Sequence, residues 1–211
     1  MNPAPHDLGK GPQAHASSRQ PDFIVGIGGS AGGLKAYMAL LDALPSDTGM
    51  AFVVIAHMHP DGQSFLPHLL SRTTSMPVTQ ASEGLPIEAN HVYVIAPDTD
   101  LTLEGRAFKV VSPRTMSQGR HKQVDCFLVS MAETMGARAI GIILSGGDGD
   151  GAEGCKRIKA EGGMTFAQDL SADVDSMPLS ATASGCVDFV LPPAEIAKKL
   201  ADFGQRRTGR A

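Results

Sequence analysis

The chain has 211 residues, enough for one globular domain of ordinary size and short for two. Hydrophobic residues make up 42% and charged residues 19%, with a formal net charge of -4, which disfavours global disorder, a coiled-coil rod and the basic field of a nucleic-acid protein. No run approaches the ~18 apolar residues of a membrane span, and Met1 to Gln20 lacks the apolar core of a secretory signal. A cytoplasmic protein without membrane insertion is expected.

Residues 1–21 carry prolines, glycines, His6 and His15 without an apolar period and are read as a disordered leader. The folded domain is expected over 22–203, with a flexible tail at 204–211. Phe23 to Ile27 is an apolar strand that a glycine cluster ends, and Leu34, Met38, Leu41 and Leu44 then recur at helical spacing up to Pro45. Ala51 to Ala56 is a second continuous apolar strand, followed by a loop and a helical segment over Phe65 to Leu70. Further strands are predicted at 92–95, 139–144, 164–167 and 187–191, a hairpin over Leu101 to Val111 around Glu104-Gly105, and helices at 123–136, 152–162, 177–184 and 193–203. Alternating elements with continuous apolar strands imply an α/β fold, a doubly wound and mostly parallel sheet covered on both faces. Cys126, Cys155 and Cys186 lack metal-ligand or disulfide spacing and are read as small apolar groups.

In such folds chemistry gathers at the carboxyl ends of the strands. Gly28-Gly29-Ser30-Ala31-Gly32-Gly33 follows the first strand and contains Gly-x-Ser-x-Gly, the pattern that exposes a nucleophilic serine on a tight strand-to-helix bend. A phosphate-binding turn is the rival. The Walker pattern fails, because Leu34-Lys35 follows Gly33. A dinucleotide turn through Gly26-Ile27-Gly28 survives weakly, although the second strand ends in Ala56-His57 where a ribose-binding carboxylate would be required.

His57 supplies what a serine needs, a base at a neighbouring strand end that takes the hydroxyl proton as attack occurs. His59 is its competitor, and His57-Met58-His59 as a metal pair ranks below the base reading because no second ligand cluster has suitable spacing. After the strand at 139–144 comes Ser145-Gly146-Gly147-Asp148-Gly149-Asp150-Gly151, whose carboxylates can orient an imidazole. Asp150 and Glu153 also have capping-box-like spacing at a helix start. The EF-hand pattern fails for want of further ligands. The order Ser30, His57, Asp150 is not that of the α/β-hydrolases.

Together these residues resemble the catalytic domain of the chemotaxis protein-glutamate methylesterases, the CheB type, from about Phe23 to Leu200. The resemblance rests on Gly26 to Gly33, Val54 to Met58, Asn90 to Pro97, Gly141 to Gly146, Asp150-Gly151-Ala152, and Ala167-Gln168-Asp169 followed by Met177-Pro178. The stretch Pro45 to Pro97 is most similar to the branch fused to CheR-type methyltransferases. The resemblance implies demethylation of glutamate methyl esters on chemoreceptor-type proteins, also glutamine deamidation, without metal or organic cofactor. It makes Ser30 the nucleophile, His57 the general base and acid, and Asp150 the orienting carboxylate.

Amides near Ala31 and Gly32, aided from Gly146 and Gly147, are expected to hold the oxyanion, with Gly29 and Met58 also lining the substrate site. Three departures stand out. Ala31 replaces the usual threonine after the serine. Gly147 cannot supply the larger side chain that many members carry, and Asp148 adds a negative charge expected to raise the imidazole pKa. A receiver domain is not expected in the short leader. The loop Ser112 to Gln123, with Arg114, Arg120, His121 and Lys122, is read either as a steering patch for acidic partners or as an ordinary solvated loop. The alternatives to an enzyme are a CheB-like binding module that has lost turnover and a nucleotide-binding domain.

Overall fold

The computed structural model describes residues 20–58, 64–116 and 121–208. The expected leader up to residue 19, the last three residues of the expected tail, His59 and Arg120 lie outside them. In chain order the elements are β1 (Phe23–Gly29), α1 (Gly33–Asp42), β2 (Met50–Ala56), α2 (Leu66–Leu70), β3 (Val78–Gln80), β4 (His91–Val94), β5 (Asp100–Glu104) and β6 (Ala107–Val111). There follow α3 (Gln123–Met135), β7 (Ala139–Ile143), α4 (Ala152–Ala160), β8 (Met164–Gln168), α5 (Ser176–Ala183), β9 (Phe189–Leu191) and α6 (Pro193–Thr208).

Seven strands form one sheet in the order β3-β4-β2-β1-β7-β8-β9, and every neighbouring pair is parallel. Every residue of β1, β2 and β7 is buried, as their uninterrupted apolar character requires. The chain steps outward from β1 through β2 to β4, then resumes on the other side at β7. The crevice above β1 and β7 is therefore the topological switch point, where open α/β sheets place their ligands.

One face of the sheet packs on α1 and α6 through Leu40, Leu41, Ile196 and Leu200; the other packs on α3, α4 and α5 through Phe127, Leu128, Ile158 and Met177. Each fully buried leucine or phenylalanine contributes about 1.5–3 kcal/mol. The antiparallel pair β5-β6 forms a separate two-stranded sheet, turning at Gly105 with φ 61°, in the left-handed region that favours glycine.

Several local expectations need correction. Leu34 and Met38 are exposed, and α1 instead buries Ala36, Tyr37, Leu40 and Leu41. That helix is apolar on more than one side, so its period did not identify the inward face. β3 was not anticipated, since three residues offer too short a pattern. Helix α6 runs on to Thr208, through the boundary expected at 203. Cys155 is buried, whereas Cys126 and Cys186 are only half-buried.

The glycines read as a weak dinucleotide signal have a packing role. A Cβ on Gly26 would lie 2.5 Å from Leu128 Cδ2, and one on Gly28 would collide with Val124 Cγ1. Both gaps admit α3 against β1. The consequence reaches the chemistry, because close approach brings the first turn of α3 up to the strand ends.

Candidate active site

β1 and β2 pair with Gly29 beside Ala56, so the next residue on each, Ser30 and His57, leaves the sheet beside the other at a strand spacing of about 4.8 Å. The His57 N–H donates to the Gly29 carbonyl at 3.3 Å. From the other side of β1, the Ser145 carbonyl accepts the Ser30 N–H at 2.9 Å. The buried Ser145 hydroxyl lies 2.9 Å from the Ala31 carbonyl and accepts the Val174 N–H at 3.0 Å. Ser145 thus holds the serine turn from below, and Gln168 Oε1 in turn accepts the Ser145 N–H at 3.0 Å. Both residues belong to stretches that carry the resemblance, but the sequence pattern assigns neither of them a role.

Gly32 caps α1 with φ 74°, and a Cβ there would lie 2.6 Å from Ser145 Oγ. Among the described residues no acceptor engages the N–H of Ala31 or Gly32, so both remain available at the start of α1, where the helix dipole favours negative charge. Gly146 does not fit the oxyanion role, because its N–H already donates to the Val174 carbonyl at 2.9 Å. Its lack of a side chain serves packing, since a Cβ would collide with Met177 Sδ. Gly147 has open space around its Cα, and among the described residues its N–H has no acceptor.

Gly29 is likewise a packing glycine. A Cβ there would lie 2.5 Å from Tyr37 Oη and 3.2 Å from the Ser145 carbonyl. Met58 packs against both cores, receives the Ser64 hydroxyl at 3.0 Å on its sulfur, and offers its carbonyl to Arg114 Nη1 at 3.2 Å.

His57 Nε2 lies 2.8 Å from Asp150 Oδ2, and Nδ1 lies 3.3 Å from Asp148 Oδ2. The Asp150 side chain is 1% exposed. Its charge is held by the first turn of α3: Val124 N–H donates to Oδ2 and Asp125 N–H to Oδ1, each at 2.9 Å. The capping-box expectation is therefore corrected. Gly151 caps α4 without a side-chain bond, and Asp150 turns across to α3. Asp125 returns the favour, its Oδ1 accepting the N–H of Gly151 at 2.8 Å and of Gly154 at 2.9 Å.

Burial alone would lower the imidazole pKa, but hydrogen bonds and charge from Asp148 and then Asp150 outweigh it and push His57 up to about 9. The bond with His57 holds Asp148 below the usual carboxylate range, against partial burial. Burial is also the main cause that raises the Asp125 carboxyl, with Asp150 adding to it and Lys122 opposing. Burial pushes the Cys126 thiol up to about 11, so it lacks the thiolate character of a nucleophile.

The described basic groups of the loop, Arg114, His121 and Lys122, each have a partner. Arg114 Nε lies 3.5 Å from Asp98, Lys122 Nζ lies 3.1 Å from Asp125, and His121 Nδ1 lies 3.0 Å from the Thr115 carbonyl. Arg114 is the group among them that reaches the rim, through the Met58 carbonyl.

Residues 25–200 match the family model described as CheB methylesterase. The chain is 30% identical over 211 residues to protein-glutamate methylesterase/protein-glutamine glutaminase 1 of Myxococcus xanthus, covering 98% of this chain and 61% of that protein. It is 34% identical over 190 residues to the enzyme numbered 3 of that name from Burkholderia orbicola, covering 90% and 56%. The chain thus spans little more than half the length of these relatives. The crystal structure of the Thermotoga maritima CheB methylesterase catalytic domain superposes with a TM-score of 0.81 at 29% identity, over 86% of this chain and 98% of that one. Sequence match and sheet topology agree over the same residues, and the chain belongs to the CheB methylesterase family.

Proposed function

We infer that this chain is a serine hydrolase that removes methyl groups from glutamate esters on a chemoreceptor-type protein, with glutamine deamidation as the parallel reaction at the same site. The observation that carries this reading is His57, which leaves the sheet beside Ser30 and is bonded through Nε2 to a buried carboxylate.

Neutral His57 takes the Ser30 proton as Oγ bonds to the ester carbonyl carbon. The carbon–methoxy bond then breaks, and the proton passes to the leaving oxygen, releasing methanol. Water repeats the cycle on the acyl-serine, freeing the glutamate carboxylate and restoring Ser30. Asp150 holds the ring and stabilises the imidazolium formed in each half. The Ala31 and Gly32 amides meet the oxyanion, and loss of one such donor typically costs ~100–1000-fold in rate.

A CheR-type methyltransferase is the partner class that supplies the ester. The cytoplasm is the compartment we assign; among the described residues no helix is long and apolar enough to cross a membrane. Methanol release from methylated receptor fragments tests the function. Ser30→Ala is expected to abolish release without changing the thermal melt. Wild-type release by that variant would remove the serine from the reaction.

A further inference from the structure

Asp148 is not needed to build a triad. Asp150 alone orients the ring, and its own geometry is secured by α3. Yet the Asp148 carboxylate occupies the second ring nitrogen, and among the described residues neither nitrogen is bonded to Ser30. An imidazole that donates from both nitrogens has no lone pair with which to accept a hydroxyl proton. The second nitrogen can face a carboxylate or a serine hydroxyl, not both.

We propose that Asp148 is a positioning residue that competes with Ser30 for His57, holding the base in a resting arrangement that must open before the serine can be deprotonated. This inference rests on the hydrolase reading above. Opening involves loss of one ring proton to solvent. The neutral ring keeps its N–H on Asp150, and the lone pair exposed on the other nitrogen repels the Asp148 carboxylate.

The loop permits that movement. Asp148 is 41% exposed at its side chain, against 1% for Asp150, and the adjoining Gly147 has no neighbour within 4 Å of a Cβ position. Asp148 Oδ1 accepts the Asp150 N–H at 3.0 Å, a bond that anchors the backbone whichever way Oδ2 turns. Among the described charged groups, Asp148 and Asp150 face the ring directly. Lys122 and Asp125 stand behind them at the start of α3, and Arg114 is engaged by the Met58 carbonyl, Asp98 and Gln123.

The test compares the full chain with Asp148→Asn, which keeps an oxygen for the Asp150 N–H, and with Asp148→Gly. Two readouts are followed from pH 5 to 10: the His57 ring signals by NMR, assigned with His57→Gln, and the rate at which a fluorophosphonate labels Ser30. The expected result is a His57 midpoint lower by about one unit or more in both variants, with the acid limb of labelling moving down by the same amount. Near pH 7 labelling would then quicken by about tenfold. An unchanged midpoint overturns the clamp. A lowered midpoint with an unmoved or slower labelling profile overturns the competition. Failure of Ser30 to label in any of the three proteins, at any pH, overturns the hydrolase reading and this inference with it, whereas the first two outcomes leave that reading standing.

Discussion

Asp125 and Asp150 exchange helix ends: the Asp150 carboxylate accepts backbone N–H groups from the first turn of α3, which carries Asp125, and the Asp125 carboxylate accepts them from the start of α4, which follows Asp150. Asp125 sits on α3 and closes the start of α4, while Asp150 precedes α4 and closes the start of α3. The exchange fixes Asp150 from two sides, by its own loop and by a helix packed on β1. One free oxygen lobe is left to meet His57.

Removing half of that exchange should loosen both ends. In Asp125→Ala the Gly151 and Gly154 N–H groups lose their acceptor in a buried site, an expected cost of about 1.5–3 kcal/mol. A melt lowered by roughly 3–12 °C follows for a domain of this size. Ester turnover should fall as well, because the Asp150 loop is no longer pinned. A variant that melts like the wild type would mean that the cap carries no weight.

Ser145→Ala removes the hydroxyl beneath the serine turn and leaves the Val174 N–H and Ala31 carbonyl without their bonds. Stability should fall by about 1–3 kcal/mol. Because the Ser30 turn shifts, the loss in kcat should exceed the change in KM. Equal effects on both would place Ser145 outside the positioning of the nucleophile.

Tyr37 Oη is buried beneath the same turn, with no hydrogen-bond partner among the described residues. Tyr37→Phe removes a desolvated hydroxyl and should stabilise the fold by roughly 1 kcal/mol, measured by urea unfolding. Gly29→Ala presses a methyl against that oxygen, so it should destabilise, and Tyr37→Phe should relieve part of the damage. Strictly additive effects would show that the two groups do not meet.

His57 also sets a pH dependence of stability. Its folded pKa, about 9, lies above the ordinary histidine value of 6.5, so the folded state binds its proton more tightly than the unfolded chain. The stabilisation is fully present below about pH 6.5 and is lost as pH rises through about 9. It amounts to about 3 kcal/mol. The stability gap between wild type and His57→Gln should therefore narrow across that window, as unfolding curves at pH 6 and pH 9.5 would reveal. A constant gap would show that the two carboxylates do not hold the proton.

Much of the architecture was legible because fully buried parallel strands need continuous apolar runs. Phe23 to Ile27, Ala51 to Ala56 and 139–144 each identified a central strand within one or two residues of its ends. The order of Ser30, His57 and Asp150 after those strands was equally visible, since a parallel sheet puts every strand's carboxyl end on the same rim. What misled were patterns with two explanations. Leu34 and Met38 fit a helical period yet face solvent. Asp150 and Glu153 fit a capping box, although the acceptor for α4 comes from Asp125, 26 residues from Gly151.

The amino-acid sequence by itself determined the parallel sheet, the glycine turn at Ser30 and the set of polar residues on the rim, because local periodicity encodes which faces are buried and where strands stop. Only the tertiary structure decided that Gly26 and Gly28 admit α3, that Gly146 spends its amide on Val174, and that Asp148 meets the second nitrogen of His57. Those contacts join residues far apart in the chain, as does the bond between His57 and Asp150, 93 positions apart. They depend on how crossovers stack helices against the sheet, a geometry that no single window of sequence contains.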